Sequence, residues 1–326
     1  MKKMALGPLE VSPLGLGCWA IGGPFTLGGI PDGWGEVDDR ESEDAIRAAI
    51  ERGIDFFDTA DVYGTGRSEE VLGRAIQGRR HEVVIATKFG FTYDSGTKEV
   101  FVRHDVTPAY IRQACERSLR RLGTDYIDLY QIHVGSLSRE ELHGAIDALD
   151  ELRRDGWIRA YGWSTEDATH ADLFARHSAA VALQHPLNVL RDEPGMIDVC
   201  ERHGLASINN SPLAMGLLSG KFDRESRLAP TDVRGGGHAW VAYFKEGRVL
   251  PSYLERLEAV REILTGGGRT LVQGALAWIW GRSWVTVPIP GFKTKAQAME
   301  LAGAMEFGPL TTAQMAEIDR VLSAAS

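Results

Sequence analysis

Phe56-Phe57-Asp58-Thr59-Ala60-Asp61-Val62-Tyr63-Gly64 is an apolar run that ends in a carboxylate, with a tyrosine five residues later in a segment punctuated by glycine. Two later runs end in the same way: Val83-Val84-Ile85-Ala86-Thr87-Lys88 and Tyr126-Ile127-Asp128-Leu129-Tyr130-Gln131-Ile132-His133. Short apolar runs between turn residues read as buried strands, and a segment of helical periodicity follows each of these three. Strands that alternate with helices pair in parallel. The three runs are therefore read as successive parallel strands, each carrying an ionisable residue at or near its carboxyl end.

The alternation extends outward in both directions. Upstream, Val11 to Trp19 reads as a first strand and residues 22–38 as a loop carrying Phe25, Leu27, Ile30 and Trp34. A helix is expected from Asp39 to Arg52, where Ala45, Ile46, Ala49 and Ile50 recur at helical spacing and Gly53 supplies a stop. The strand Ile54 to Phe57 follows, then a helix from Ser68 to Ile76, then the strand Glu82 to Lys88. Residues 89–107 read as a long loop with Phe89, Phe91, Tyr93, Phe101 and His104. Thr107-Pro108 opens a helix to Leu122, with a cap residue before a proline in the first turn. Downstream come strands 126–133, 157–164, 181–184 and 205–209, with helices 138–155, 166–177 and 194–203 between them. An insertion over about residues 212–268 holds a helix from Tyr253 to Leu264. Helix 270–280, strand 284–288, helix 294–304 and a last helix near 311–323 complete the chain.

Eight strand–helix units predict a (β/α)8 barrel spanning residues 1–326 as one domain, with a long loop after strand 7 and a C-terminal helix. The length suits a barrel of roughly 250 residues with insertions, although length alone also allows two domains. The structural alternative is a doubly wound sheet, which places a glycine-rich phosphate loop after its first strand. Gly15-Leu16-Gly17-Cys18-Trp19-Ala20 mimics that fingerprint, but Gly22-Gly23-Pro24 breaks the chain where a helix must open. Leu218-Ser219-Gly220-Lys221-Phe222 fails as a nucleotide-binding P-loop, because Phe222 stands where Ser or Thr is required.

Hydrophobic content of 44% is enough for a buried core. The net charge of −9 is spread without long runs, which argues against nucleic acid, whose phosphates call for a concentrated basic face. Three scattered cysteines, Cys18, Cys115 and Cys200, form no CxxC pair and no disulfide framework. No apolar run reaches the ~20 residues of a membrane helix. These features together predict a cytoplasmic protein without membrane partners. The nine histidines contain neither HExxH nor His-x-His, so no metal site is expected.

Barrel active sites form at the carboxyl ends of the strands. Asp58, Lys88 and His133 fall there on strands two, three and four, and Tyr63 lies just past strand two. Adjacent strands are ~4.8 Å apart, close enough for the four side chains to converge. An ammonium near a phenol favours phenolate, so Lys88 is expected to lower the pKa of Tyr63. Asp58 would keep Lys88 charged and in place, neutral His133 would hydrogen-bond a substrate oxygen, and Tyr63 would act as general acid. Taken singly, Asp58 and Thr59 also suit a helix cap, Lys88 a solvated strand end and His133 a structural hydrogen bond. The joint pattern is what points to catalysis. Carbonyl reduction needs such an acid together with a hydride donor.

Residues 54–76 closely resemble the signature of the aldo-keto reductases. The resemblance continues through Ala86-Thr87-Lys88-Phe89, 128–133, Gly162-Trp163-Ser164-Thr165, Ser211-Pro212-Leu213 to Gly220-Lys221, and Pro288-Ile289-Pro290-Gly291. It implies a tetrad of Asp58, Tyr63, Lys88 and His133, and a nicotinamide dinucleotide cofactor: NADP(H) ahead of NAD(H). It implies that Trp19 and Asp58 lie beside the cofactor. Ser164 and Gln184 match residues that hold the carboxamide. Ser211, Leu213, Gly216 and Lys221 match the pyrophosphate segment, and Gly291, Lys293, Gln297 and Glu300 match the adenosine end. Lys293 and Arg234 are the candidate phosphate cations, with exposed surface cations as the alternative. Asn210 stands where the family usually stacks an aromatic residue on the nicotinamide. Thr165, Leu301 and Val134-Gly135 are further departures. The substrate implied is a small carbonyl compound or alcohol, with Trp34, Phe89, Phe91 and His104 as loop residues that either shape specificity or pack in the core. A regulatory NADP(H)-binding subunit with little turnover is the other functional class this pattern allows.

Overall fold

The computed structural model describes residues 1–324. Eight parallel strands form one sheet: β1 (Gly15–Gly17), β2 (Phe56–Asp58), β3 (Val84–Phe89), β4 (Ile127–Ile132), β5 (Ile158–Ser164), β6 (Ala182–Pro186), β7 (Ala206–Asn210) and β8 (Thr286–Pro288). Each pairs with the next in chain order. The ring is completed where the Gly17 N–H donates to Pro290 O at 2.9 Å and Gly17 bridges Gly291 in parallel. The fold is a (β/α)8 barrel, as expected.

The outer ring is α1 (Asp39–Glu51), α2 (Arg67–Ala75), α3 (Pro108–Leu122), α4 (Arg139–Arg154), α5 (Ala168–His177), α6 (Pro194–His203), α8 (Leu271–Arg282) and α9 (Lys295–Gly303). Between β7 and α8 lies α7 (Pro251–Thr265), and α10 (Thr312–Ala324) follows α9 and contacts α7. Local chemistry sets the helix starts. The Asp38 side chain accepts from the Arg40 and Glu41 N–H groups, and Thr107 caps α3 ahead of Pro108. Ser138–Glu141, Thr270–Gln273 and Thr294–Gln297 are reciprocal capping boxes.

The barrel interior is filled by Phe56, Ala86, Leu129, Ala160, Ile208 and Val287. An N-terminal hairpin, Met4–Leu6 with Leu9–Val11, packs Leu6 and Val11 into the same cluster. A second, larger core lies between the sheet and the helices.

Three expectations change. The stretch from Val11 to Trp19 is not one strand: Val11 belongs to the hairpin, and β1 is only Gly15–Gly17. Pro13 offers no N–H to a ladder, and the Ser12 hydroxyl donates to Leu14 O. The two long loops also carry structure. Thr26–Leu27, Ile30–Pro31, Phe91–Asp94 and Glu99–His104 form a four-stranded sheet in which Thr26–Leu27 pairs in parallel with Glu99–Val100. The Glu99 carboxylate accepts from the Thr26 hydroxyl and from the Gly29 N–H. This pairing joins segments more than seventy residues apart, which no local period reveals.

Candidate active site

Asp58 ends β2, Lys88 lies one residue from the end of β3, and His133 follows β4. Tyr63 begins a short 3-10 turn ahead of α2. That turn is tight: Gly64 has φ +60°, and a Cβ there would meet Gly22 O at 2.0 Å. Only a residue without a side chain fits the approach.

The four side chains converge. Lys88 is fully buried, and its Nζ donates to Asp58 Oδ1 at 2.5 Å and Thr59 O at 2.9 Å, with Tyr63 OH at 3.4 Å. Asp58 Oδ2 accepts from Gln131 Nε2 at 3.1 Å and Gln184 Nε2 at 2.8 Å. The carboxylate is thus buried but held by three donors, which offsets its desolvation. Burial works against the charge on Lys88, but the opposing pull of Asp58 and Tyr63 raises its pKa.

Tyr63 departs from the sequence-based expectation. Its pKa is not lowered but pushed up to about 12. Burial disfavours the phenolate more than Lys88 favours it, and Asp58 cancels part of the ammonium's field. The phenol is therefore protonated throughout neutral pH. His133 is held well below the usual imidazole range, by burial and then by the Lys88 charge. It is neutral, and among the described residues its Nδ1 has no hydrogen-bond partner. Its ring meets the Tyr63 ring edge-on at 5.8 Å.

These groups open onto a cleft of about 970 Å³. At one end Trp19 stacks on Tyr63 at 5.9 Å and 22°, and its Nε1 donates to Asp32 O at 3.1 Å. Ser164, Gln184, Asn210, Ser211, Leu213, Gly216, Lys221, Arg234, Gly291, Lys293, Gln297 and Glu300 all line the same cleft. The backbone along it is unusual: Ser211, Ala214, Met215 and Gly216 have φ of 50°, 49°, 55° and 89°. Left-handed residues clustered in this way form concave turns whose amides suit anions. Three cations, Lys221, Arg234 and Lys293, lie near one another along the cleft. Burial and then Arg234 lower the pKa of Lys221; burial lowers that of Lys293, with Asp232 opposing and Arg234 and Lys221 adding to the effect. Such mutual repulsion favours a bound anion. The residues therefore fit an elongated ligand with phosphates at one end.

Several partners differ from those implied by resemblance. Gln184 spends one amide hydrogen on Asp58. Arg234 is not an exposed cation: it is bidentate to Asp232 and lies over the Trp34 ring at 4.6 Å. The Lys293 ammonium donates to the Trp34 and Glu36 carbonyls. Gln297 accepts from the Lys293 N–H as part of its cap. No side-chain hydrogen bond of Asn210 is present among the described residues, and no aromatic residue replaces it in sequence. Of the four loop residues, Trp34 and Phe91 line the cleft, whereas Phe89 packs on Tyr130 at 4.6 Å and His104 bonds Glu141 at 3.0 Å.

Sequence reasoning missed Gln131, although a signal existed. Gln131 lies two residues before His133 in the run read as one strand, so an extended backbone turns both to one side. It also missed Asp32, His238 and Trp240, which meet only through the fold.

The fold is a (β/α)8 barrel with a polar cluster and a long cleft at the carboxyl ends of its strands. Comparison with known proteins gives its family. Residues 13–323 match the model of the aldo/keto reductase family, and the chain belongs to that family. An uncharacterized oxidoreductase, YqkF, of Bacillus subtilis is 34% identical over 68% of this chain and 67% of its own length. An NADH-specific methylglyoxal reductase of Escherichia coli is 30% identical over 94% of both chains. The structure of a glycerol dehydrogenase from Gluconobacter oxydans superposes with a TM-score of 0.83 at 29% identity, covering 99% of this chain and 95% of that one. Among the described residues no helix is long and apolar enough to cross a membrane, and no cluster of metal-ligating side chains occurs.

Proposed function

We propose that this chain is an NADP(H)-dependent reductase of aldehydes or ketones, running in reverse as an alcohol oxidation, with Tyr63 as general acid. The observation that carries the reading is the Asp58–Lys88–Tyr63 chain, buried beside neutral His133. The reduced nicotinamide, when bound, supplies hydride to the carbonyl carbon. Ser164 and Gln184 would hold its carboxamide, the Ser211–Gly216 turn and Lys221 its pyrophosphate, and Lys293 the 2′-phosphate end. The cation crowding supports NADP(H); an NADH-specific relative at 30% identity keeps NAD(H) as the second cofactor to test.

The Tyr63 hydroxyl hydrogen-bonds the substrate oxygen and passes its proton to it as that oxygen becomes negative. An alkoxide is a far stronger base than a phenolate, so a phenol with pKa about 12 still transfers its proton downhill. Lys88 then stabilises the phenolate left behind, and Asp58, held by Gln131 and Gln184, keeps Lys88 charged. His133 is unprotonated, so it donates one N–H to the same oxygen without adding a competing acid. With cofactor and substrate filling the cleft between Trp19 and Phe91, water would be displaced and each of these interactions strengthened.

The test is loss of reduced-nicotinamide absorbance with NADPH or NADH and a panel of aldehydes. Tyr63→Phe is expected to lower kcat at least a hundredfold, while cofactor affinity stays within a few-fold. Tight cofactor binding with no turnover on any carbonyl would sink the enzyme reading in favour of a regulatory nucleotide-binding subunit.

A further inference from the structure

The layer between the sheet and the helices is apolar over most of its extent, but directly behind the catalytic turn it is polar. Thr87 of β3 and Tyr130 of β4 are register partners, and their neighbours Ala86 and Leu129 fill the barrel interior. Thr87 and Tyr130 therefore point outward, toward the helices. Asp61 of the turn, Glu69 of α2, Arg117 and Arg121 of α3, and Tyr93 of the Phe91–Asp94 strand gather around them. Glu69 is well provided for. Its Oε1 accepts from the Thr87 hydroxyl and its Oε2 from Arg121 Nε, both at 2.6 Å. Asp61 is not. It is fully buried, and among the described residues neither of its oxygens has a hydrogen-bond partner. The Tyr93 and Tyr130 hydroxyls are orphaned in the same way.

Buried polar groups without partners are rare, because each forfeits its hydration for nothing. An ionised Asp61 would also be an unpaired charge beside Glu69, since Arg121 Nε serves Glu69 and Arg117 lies over the Tyr110 ring at 5.3 Å. Burial and then Glu69 push the Asp61 pKa well up, against Arg121 and Arg117. The Val62 N–H pulls the same way as the arginines without completing a hydrogen bond. A neutral Asp61 offers an O–H donor and a carbonyl acceptor, and each phenol offers one O–H and its oxygen. An internal water needs about two to four polar partners, and this set supplies them. The cluster reaches the chemistry through the backbone. The Asp61 N–H donates to Lys88 O at 3.3 Å, and the Tyr63 N–H to Ala60 O at 3.2 Å. Asp61 thus stands where the turn that carries the acid is fastened to the strand that carries its ammonium. Resting on the function proposed above, we propose that Asp61, Tyr93 and Tyr130 hold internal water behind the catalytic turn, and that this water-bridged cluster positions Tyr63 against Lys88. Asp61 does not line the cleft, so it is a positioning residue and touches neither substrate nor cofactor.

A crystal structure of the wild type should show ordered water within hydrogen-bond distance of Asp61 and of the Tyr93 and Tyr130 hydroxyls; a dry site would overturn the assignment. Near neutral pH the infrared spectrum should carry the C=O band of a buried carboxylic acid, and Asp61→Asn should remove it. A wild type without that band, or a variant that keeps it, refutes the neutral acid. Tyr130→Phe separates a bridged hydroxyl from an orphan. Loss of a bridged one should lower the thermal midpoint by about 1–3 °C, whereas an unchanged or raised midpoint would overturn the water site. Asp61→Leu should lower kcat by about tenfold or more, with NADPH affinity within about twofold. Asp61→Asn, which keeps a donor and an acceptor, should hold kcat within about twofold of the wild type. The Asp61→Leu crystal structure should show the Tyr63 hydroxyl moved away from Lys88; an unmoved Tyr63 with unchanged kcat would overturn the positioning role. Should Asp61→Leu fail to fold, Tyr93→Phe carries the same comparison of Tyr63 position and kcat. Water, acid band and a displaced Tyr63, in a protein whose wild type reduces no carbonyl, would leave this assignment standing and refute the enzyme reading.

Discussion

At the residue scale, Tyr63 and Lys88 show how burial can outweigh a neighbouring charge. An ammonium 3.4 Å from a phenol ought to lower its pKa, yet the phenol sits at about 12, because it is desolvated and Asp58 neutralises much of the ammonium. One consequence concerns pH. Tyr63 stays protonated and His133 stays neutral from about pH 7 to about pH 9, so the reduction rate should be flat across that range. A fall in kcat/KM with an apparent pKa inside the window would show that another group donates the proton. A second consequence concerns stability. Lys88→Met leaves Asp58 buried with only the two glutamine amides. The loss should be about 3–5 kcal/mol by urea unfolding, and adding Asp58→Asn should recover most of it without recovering activity.

At the scale of the element, β6 carries a buried titration that the reaction does not use. His185 Nδ1 lies 3.1 Å from Pro186 O and Nε2 2.8 Å from the Ser207 hydroxyl. The neutral ring satisfies both, as a donor at Nδ1 and an acceptor at Nε2. Burial, with Arg191 adding to it and the Pro186 carbonyl opposing, lowers its pKa to about 4. The unfolded chain takes up this proton near pH 6.5 and the folded chain only near pH 4. More protons bound by the unfolded state mean that stability rises with pH. The contribution is complete above about pH 6.5 and is lost as pH falls toward about 4, by up to roughly 3 kcal/mol. Urea midpoints at several pH values should show that slope, and His185→Asn should flatten it.

At the scale of the whole molecule, the barrel closes at one narrow seam. A Cβ on Gly17 would stand 2.8 Å from Ile289 O. Gly17→Val should force β1 from β8 and cost about 1–3 kcal/mol in thermal or urea unfolding. Activity should fall too, because the Cys18 N–H donates to Asp58 O at 2.7 Å and Trp19 follows at once. How far the sequence reveals this architecture depends on the range of the forces involved. Caps such as Ser138–Glu141 and apolar strands such as β4 are local, and their positions agree with the structure to within a few residues. Asp58, Lys88 and His133 were legible because strand ends are. The contact of Asp32 with His238 spans more than two hundred residues of chain and leaves no local trace. The direction of the Tyr63 shift depends on depth of burial, which composition does not record. Pairing of Thr26–Leu27 with Glu99–Val100 was invisible for the same reason.

That last pairing bears on how such a protein can be re-engineered. The Thr26 N–H donates to Lys98 O at 3.0 Å, the Gly28 N–H to Val100 O at 2.9 Å, and the Glu99 carboxylate accepts from the Gly29 N–H at 2.8 Å. Residues 26–29 and 98–100 thus form one paired unit drawn from two places in the chain. Transplanting the 98–100 segment alone from a relative without a carboxylate at position 99 would leave the Thr26 hydroxyl and the Gly29 N–H without that acceptor, so chimaeras that exchange both segments together should be the more stable.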